Sequence, residues 1–242
     1  MGKRWRRVGG FSVVVSWPES SYSAGPPPAP RSTARSRAAG LAGMALILGG
    51  LGVAGYAAVT QIHAPQPSAS AAGVTRATGH GPSLARSAPV SLDIPAIGVH
   101  SRLLHLGLNQ DGSVQVPSVT TAAGLAAWFQ GSVTPGQIGS SVIEGHVDSY
   151  QGPAVFFRLG ELRPGDSIDI RLANGVTAIF RVTGVREYAK DEFPAATIYG
   201  PTPNAALRLI TCGGAFDAAT GHYLGSTVVF ASLRSSHRPG SR

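Results

Sequence analysis

No residue from Ala38 to Thr75 carries a charge, and this interruption divides the chain into parts that cannot share one fold. Its apolar section, Ala39 to Val59, is about 21 residues, or about 31 Å as a helix, against about 30 Å of bilayer hydrocarbon. Glycine is frequent there, which membrane helices tolerate better than soluble ones. The run also lacks the polar face that a soluble helix keeps toward water. Its flanks are unequal: residues 1–37 hold seven basic side chains and one acid, Glu19, a net of +6, while the other 205 residues hold 13 basic and 11 acidic ones. The positive-inside rule then predicts a single-pass protein of the cell membrane, N-terminus cytoplasmic and the rest extracellular.

The expected division is a basic disordered cytoplasmic tail over 1–37, a transmembrane signal anchor over 38–62, and an extracellular Pro/Ser/Ala-rich linker over 63–88. A folded domain over 89–234 and a disordered C-terminal tail over 235–242 complete it. The tails and linker are too poor in apolar residues to fold alone. A cleaved signal peptide is the alternative, since Ala69-Ser70-Ala71 forms an A-x-A site. Against it stand a long basic region and an apolar run beyond the usual length. Arg6-Arg7 is a twin-arginine pair, but it lies too far ahead of the apolar run to act as an export signal. The overall net charge of +8 is thus a property of the tail. Nucleic acid is not an expected partner, because the folded part is close to neutral. Only 13% of residues are charged, with 32 Gly and 18 Pro, which excludes a coiled coil. One cysteine excludes a disulfide scaffold.

From Pro89 onward the pattern is mostly β. Ser91–Ile94 alternates and stops at Pro95; Val114–Val116 reads as a short strand before Pro117. Ser140–Glu144 leads into Gly145-His146, and Ser167–Leu172 alternates cleanly. Asn174-Gly175 then separates it from Val176–Val185, a strong hairpin signal. Ala206–Thr211 and Thr227–Ala231 supply two late strands. Ala154–Leu162 and Phe193–Tyr199 are expected to form single helical turns. Many short strands with Gly/Pro turns predict an all-β barrel or sandwich.

The lone cysteine is the sharpest chemical signal. In an exported domain structural cysteines come in pairs, so Cys212 reads as an intermolecular bridge or a reactive thiol, with a small buried hydrophobe as the bland alternative. It closes an apolar strand and precedes Gly213-Gly214, where a sulfur is exposed and another backbone can approach. A thiol needs a base or a cation nearby to react well. His63, His80 and His237 lie in linker or tail. His100 and His105 fall in or beside an early strand as surface or packing residues, and His222 stays open. His146 stands at a strand end, followed by Val147-Asp148, and is the candidate base.

Leu209-Ile210-Thr211-Cys212-Gly213-Gly214, with Gly145-His146-Val147-Asp148 about 65 residues earlier, resembles the sortases, most of all the actinobacterial class E/F group. The resemblance covers about Pro89 to Leu233. It implies an eight-stranded β-barrel and a membrane-anchored cysteine transpeptidase that cleaves an LPxTG-like sorting signal between Thr and Gly. It further implies a thioester on the enzyme and transfer of the threonyl carbonyl to an amine of a cell-wall precursor or a pilin lysine. Carried over by position, Cys212 is the nucleophile and His146 the general acid/base. Thr211 and Asp148 are supporting residues, Thr211 shaping the site and Asp148 orienting His146 or holding its loop.

Two departures from the family pattern matter. Arg208 replaces the first threonine of the T-L-x-T-C strand, and Ser226 stands where the family's substrate-holding arginine is often found. Side chains two and four apart share a strand face, so Arg208 is the candidate substitute at the oxyanion. A surface arginine paired with Glu144 or Asp148 is the alternative. Rival functions are a non-catalytic β-domain that binds sorting signals and an L,D-transpeptidase, whose S-x-G-C-[IV]-R motif the sequence does not match. No cofactor is implied, since ligand spacing for a metal, a calcium loop and a phosphate or dinucleotide fingerprint are missing from the sequence.

Overall fold

The computed structural model describes residues 63–73, 81–238 and 240, together with a two-residue ladder between Arg7–Val8 and Phe11–Ser12. The apolar run expected to form a membrane anchor lies outside these residues. Among the described residues no helix is long and apolar enough to cross a membrane.

Eight strands build the barrel: β1 Pro89–Ile94, β2 Val99–Leu106, β3 Ala126–Phe129, β4 Gly139–Glu144, β5 Ser167–Leu172, β6 Thr177–Ala189, β7 Ala205–Asp217 and β8 His222–His237. They close into a barrel in the order β6-β8-β7-β4-β3-β2-β1-β5, with β5 returning to β6. Closure removes the exposed strand edges on which another chain could pair. Among the described residues helix is confined to short turns, including Leu159–Glu161 and α1, Ala195–Tyr199. The all-β reading and both helical turns are therefore met.

Several expected elements differ in detail. Val114–Val116 is no strand; Val114 makes a single bridge to Leu108, and the lack of an N–H at Pro117 stops any extension. The Asn174-Gly175 hairpin closes through three residues, with Gly175 N–H donating to Leu172 O and Gly175 at φ +80°. Strand β3 is an addition to the expected set, because its Ala-Ala-Trp-Phe run is buried throughout and gives no alternation. Strand β8 runs to His237, past the expected domain end.

Alternation sorts the two faces. Leu207 and Leu209 of β7 and Val229, Ala231 and Leu233 of β8 point inward, where Phe156, Phe180 and Leu159 fill the main core. Ile210 and Val228 point outward into a second cluster with Val142, Phe129 and Ile198. That outer cluster has a topological cause. Because β8 lies between β6 and β7, the connection over 190–204 must pass across the outside of β8, and it lays α1 on the outer face of β4 and β7.

The stretch before β1 also packs. Ala71 joins the main core, and Gly160 lies so near Pro65 that a Cβ would stand 2.1 Å from its carbonyl oxygen. Arg186 donates to the carbonyls of Ala72 and Gly73 at 3.1 Å each. Phe156 ties the main core to the histidine segment: it is fully buried, and its N–H donates to His146 O at 2.9 Å. Phe156→Ala is expected to cost about 3–5 kcal/mol in urea unfolding, from lost transfer energy plus the cavity left behind. A loss below about 1 kcal/mol would show that the core does not depend on this ring.

Candidate active site

Cys212 lies inside β7 rather than at its end. The strand continues to Asp217, but a bulge interrupts its pairing with β8 between Gly213 and Phe216. Gly214 there adopts φ +77°, a left-handed value that favours glycine. Gly213 is required by space, since a Cβ would come 2.3 Å from Thr227 Oγ1. These two glycines bend the strand just past the sulfur and leave Cys212 half-buried on the outer face.

His146 arrives by register. Strands β4 and β7 are parallel, pairing Gly139 with Ala205 through to Glu144 with Ile210. The backbone bond from Gly145 N–H to Ile210 O, 3.2 Å, carries the ladder one step further. Continued by two residues, the same register sets His146 level with Cys212 on the same face. Val155 and Phe156 crowd Gly145, where a Cβ would meet them at 2.7 and 2.8 Å. His146 Nε2–H donates to Pro117 O at 2.6 Å. A carbonyl can only accept, so that nitrogen carries a proton and Nδ1 remains for exchange.

Burial pushes the Cys212 thiol up to about 11, and the carboxylates of Asp148 and Glu144 add to this, while the Lys190 ammonium opposes it. Lys190 belongs to the same β6–β7 connection that carries α1. Glu144 is the residue that sequence reading undervalues. It is only 2% exposed, on the outer face beside Ile210, and accepts a hydrogen bond from Tyr199 Oη at 2.7 Å. Burial pushes its carboxyl up to about 7, with the Tyr199 bond acting in the opposite sense. The signal available in the sequence is an acid at the end of an otherwise uncharged buried strand.

The remaining expected site residues divide between the two faces of β7 and the histidine loop. Thr211 alternates inward, 2% exposed, with its hydroxyl unpartnered among the described residues. Its side chain lies on the face opposite the thiol. Asp148 accepts a bond from Tyr223 Oη, which ties the histidine loop to β8. Ser226 lies directly across from Cys212 and is fully buried. Arg208 shares the outer face, four residue pairs further along the ladder, opposite Phe230. Its guanidinium lies over the Phe230 ring at 4.7 Å and its Nη1–H donates to Leu207 O at 3.0 Å. Glu144 and Asp148 are engaged with tyrosines instead of with it. His100 pairs with Asp93 at the surface and His105 packs edge-on against Trp128.

Glu144 links the site to stability. Its carboxyl is raised in the folded chain, so the folded state holds this proton more tightly than the unfolded one. The stability is complete below the unfolded value of 4.5 and is lost as pH rises through about 7. This one group is expected to account for a fall on the order of 3 kcal/mol across that window. In urea titrations Glu144→Gln flattens the fall; an unchanged pH dependence would refute the assignment.

A search of curated proteins gave no match. Among solved structures the chain is similar to sortase A of Listeria monocytogenes, at 16% identity over 64% of this chain and 91% of that one, TM-score 0.47. It is similar also to the lid mutant of sortase A from Corynebacterium diphtheriae, at 21% identity over 65% and 75%, TM-score 0.47. The SrtA sortase from Actinomyces oris is a third, at 18% identity over 70% and 93%, TM-score 0.46. Residues 92–234, more than half of the sequence, match the family model described as the sortase domain, and the chain belongs to the sortase family.

Proposed function

We propose that this sortase is a membrane-anchored cysteine transpeptidase of the class E/F kind, acting outside the cell on LPxTG-like sorting signals. The observation that supports the reading is the β4–β7 register, which, continued by two residues, brings His146 level with Cys212 on the outer face. Cys212 attacks the threonyl carbonyl while its proton passes to His146 Nδ1. The C–S bond forms, the Thr–Gly C–N bond breaks, and His146 returns the proton to the departing glycine amine. An incoming amine, from a cell-wall precursor or a pilin lysine, then attacks the thioester. The C–S bond breaks, and the proton the amine gives to His146 passes to the departing sulfur, which regenerates the neutral thiol and imidazole. The apolar run and the basic tail support the anchor and the orientation.

Lys190, and not Arg208, is the cation assigned to the sulfur in this reading. It is the positive charge that favours the thiolate, whereas Arg208 is turned over Phe230. A barrel that binds sorting signals without turnover is the second reading, favoured by Ser226 in the place of the family's arginine and by the raised thiol.

The deciding experiment incubates the full chain in detergent with a panel of sorting peptides and an amine. The expected outcome is an acyl mass shift on Cys212 and amine exchange, both lost in Cys212→Ala and His146→Ala. Peptide binding without either signal selects the second reading, and no interaction with any peptide sinks both. Separately, alkylation of Cys212 by iodoacetamide should keep rising about tenfold per pH unit from 8 to beyond 9, where an ordinary thiol of about 8.5 levels off. Lys190→Met should slow it at fixed pH. A plateau near pH 9, or no change on removing Lys190, contradicts the electrostatic assignment.

A further inference from the structure

The outer face holds a cleft of about 400 Å³ on the far side of the Ile210–Val228 pair from Cys212. Arg186, Arg208, Phe230, Thr197, Asn204 and Ser232 line it, and no Asp or Glu is among its described lining residues. Arg208 is 8% exposed, and its Nε–H has no partner among the described residues. Its one bond, to the neighbouring Leu207 carbonyl, offers no countercharge. Burial pulls the guanidinium down only to about 10, so it is a cation at neutral pH.

Arg186 brings a second cation to the same place. Its Cζ lies 5.9 Å from the centroid of the Phe230 ring that Arg208 covers at 4.7 Å. The same side chain, at an exposed position, donates to the carbonyls of Ala72 and Gly73, and Gly73 closes one wall. Like charges converging on one ring repel, and a buried charge without a counterion is costly. An anion in the cleft relieves both.

Polar groups for it are at hand. Asn204 Nδ2–H donates to Ser232 Oγ at 3.4 Å, which leaves the Ser232 hydroxyl hydrogen free to donate elsewhere. Guanidinium Nε–H and Nη–H groups form a fork suited to the paired oxygens of a phosphate or carboxylate.

We propose that this cleft is a binding site for an oxyanion, a phosphate or carboxylate group borne on a larger molecule, held by Arg208 Nε–H and the Arg186 guanidinium. The volume lies in the range of small-ligand pockets, more than a single oxyanion fills. Thr197 of α1 forms part of its wall, so the ligand also bears on the segment that carries Tyr199. The site rests on the cleft alone and not on acyl transfer at Cys212.

The test uses the full chain in detergent and follows thermal unfolding and calorimetric binding. Inorganic phosphate and acetate are titrated in separate arms against chloride at equal ionic strength. A saturable stabilisation by either anion is expected. Arg208→Met should weaken it about tenfold or more, as lost charge-assisted hydrogen bonds do. Arg186→Gln, at an exposed position, should weaken it several-fold with the fold intact, and it carries the test if Arg208→Met does not fold. A response to phosphate alone assigns a phosphate-bearing ligand, to acetate alone a carboxylate-bearing one, and to both the general oxyanion class. No saturable response in either arm overturns the proposal, as does a response that Arg186→Gln leaves unchanged. Peptide acylation is not read in this experiment, so failure of the cleft and failure of the transpeptidase reading are seen separately.

Discussion

The parallel ladder between β4 and β7 is the contact on which the site depends. Its register is fixed along six residue pairs, from Gly139–Ala205 to Glu144–Ile210. A slip of one residue would turn the β4 side chains through the sheet. Val142 and Glu144 would then face inward, and His146 would lose its level with Cys212. Burial holds the register. Leu209 and Ile143 pack inside while Ile210 and Val142 pack outside, so a shift would disrupt both clusters and drive the Glu144 carboxyl into the main core. The histidine and cysteine, distant in sequence, are thus aligned by ordinary packing of aliphatic residues with no chemical role.

The barrel order adds a second consequence. With β8 between β6 and β7, the β6–β7 connection crosses the outer face and becomes part of the site's wall. Phe193, Ile198 and Tyr199 from this connection cover Ile210, Val228 and Phe129. Lys190 reaches the electrostatic field of the sulfur from the same segment, and Tyr199 reaches Glu144. One short stretch of chain therefore roofs the hydrophobic layer and sets the charge around Cys212. It also separates the thiol from the arginine cleft.

Strand content and site chemistry are legible in the sequence to different degrees, for identifiable reasons. Alternating runs such as Ser167–Leu172 announce themselves because one face is wet; Ala126–Phe129, buried on both faces, does not. Cys212 and His146 stand out as a solitary thiol and a strand-end imidazole. Glu144 does not, because a carboxyl on an apolar strand reads as a surface charge until the strand is seen roofed by Tyr199. Alternation correctly gives Arg208 the face of Cys212, yet a face is not a position. Phe230 and the Leu207 carbonyl draw the guanidinium aside, and cross-strand neighbours of this kind depend on register, which a single sequence does not contain.

The raised thiol changes how reactivity has to arise. At about 11, Cys212 is almost wholly neutral near pH 7, which protects a lone sulfur from oxidation in the extracellular setting proposed for it. The same burial that protects it withholds the thiolate. Two carboxylates add to the barrier and one ammonium reduces it, so the balance is set by groups on β4, on the histidine loop and on the β6–β7 connection. Tyr223 fixes Asp148 and Tyr199 fixes Glu144, which ties both carboxyl groups to the frame. In the proposed transpeptidase, activation then comes with substrate. In that proposal the sulfur attacks the peptide carbonyl as its proton passes to His146 Nδ1, the other ring nitrogen being engaged with Pro117 O. Proton transfer concerted with attack avoids forming a free thiolate, and a barrel with a poorly acidic cysteine remains consistent with acyl transfer.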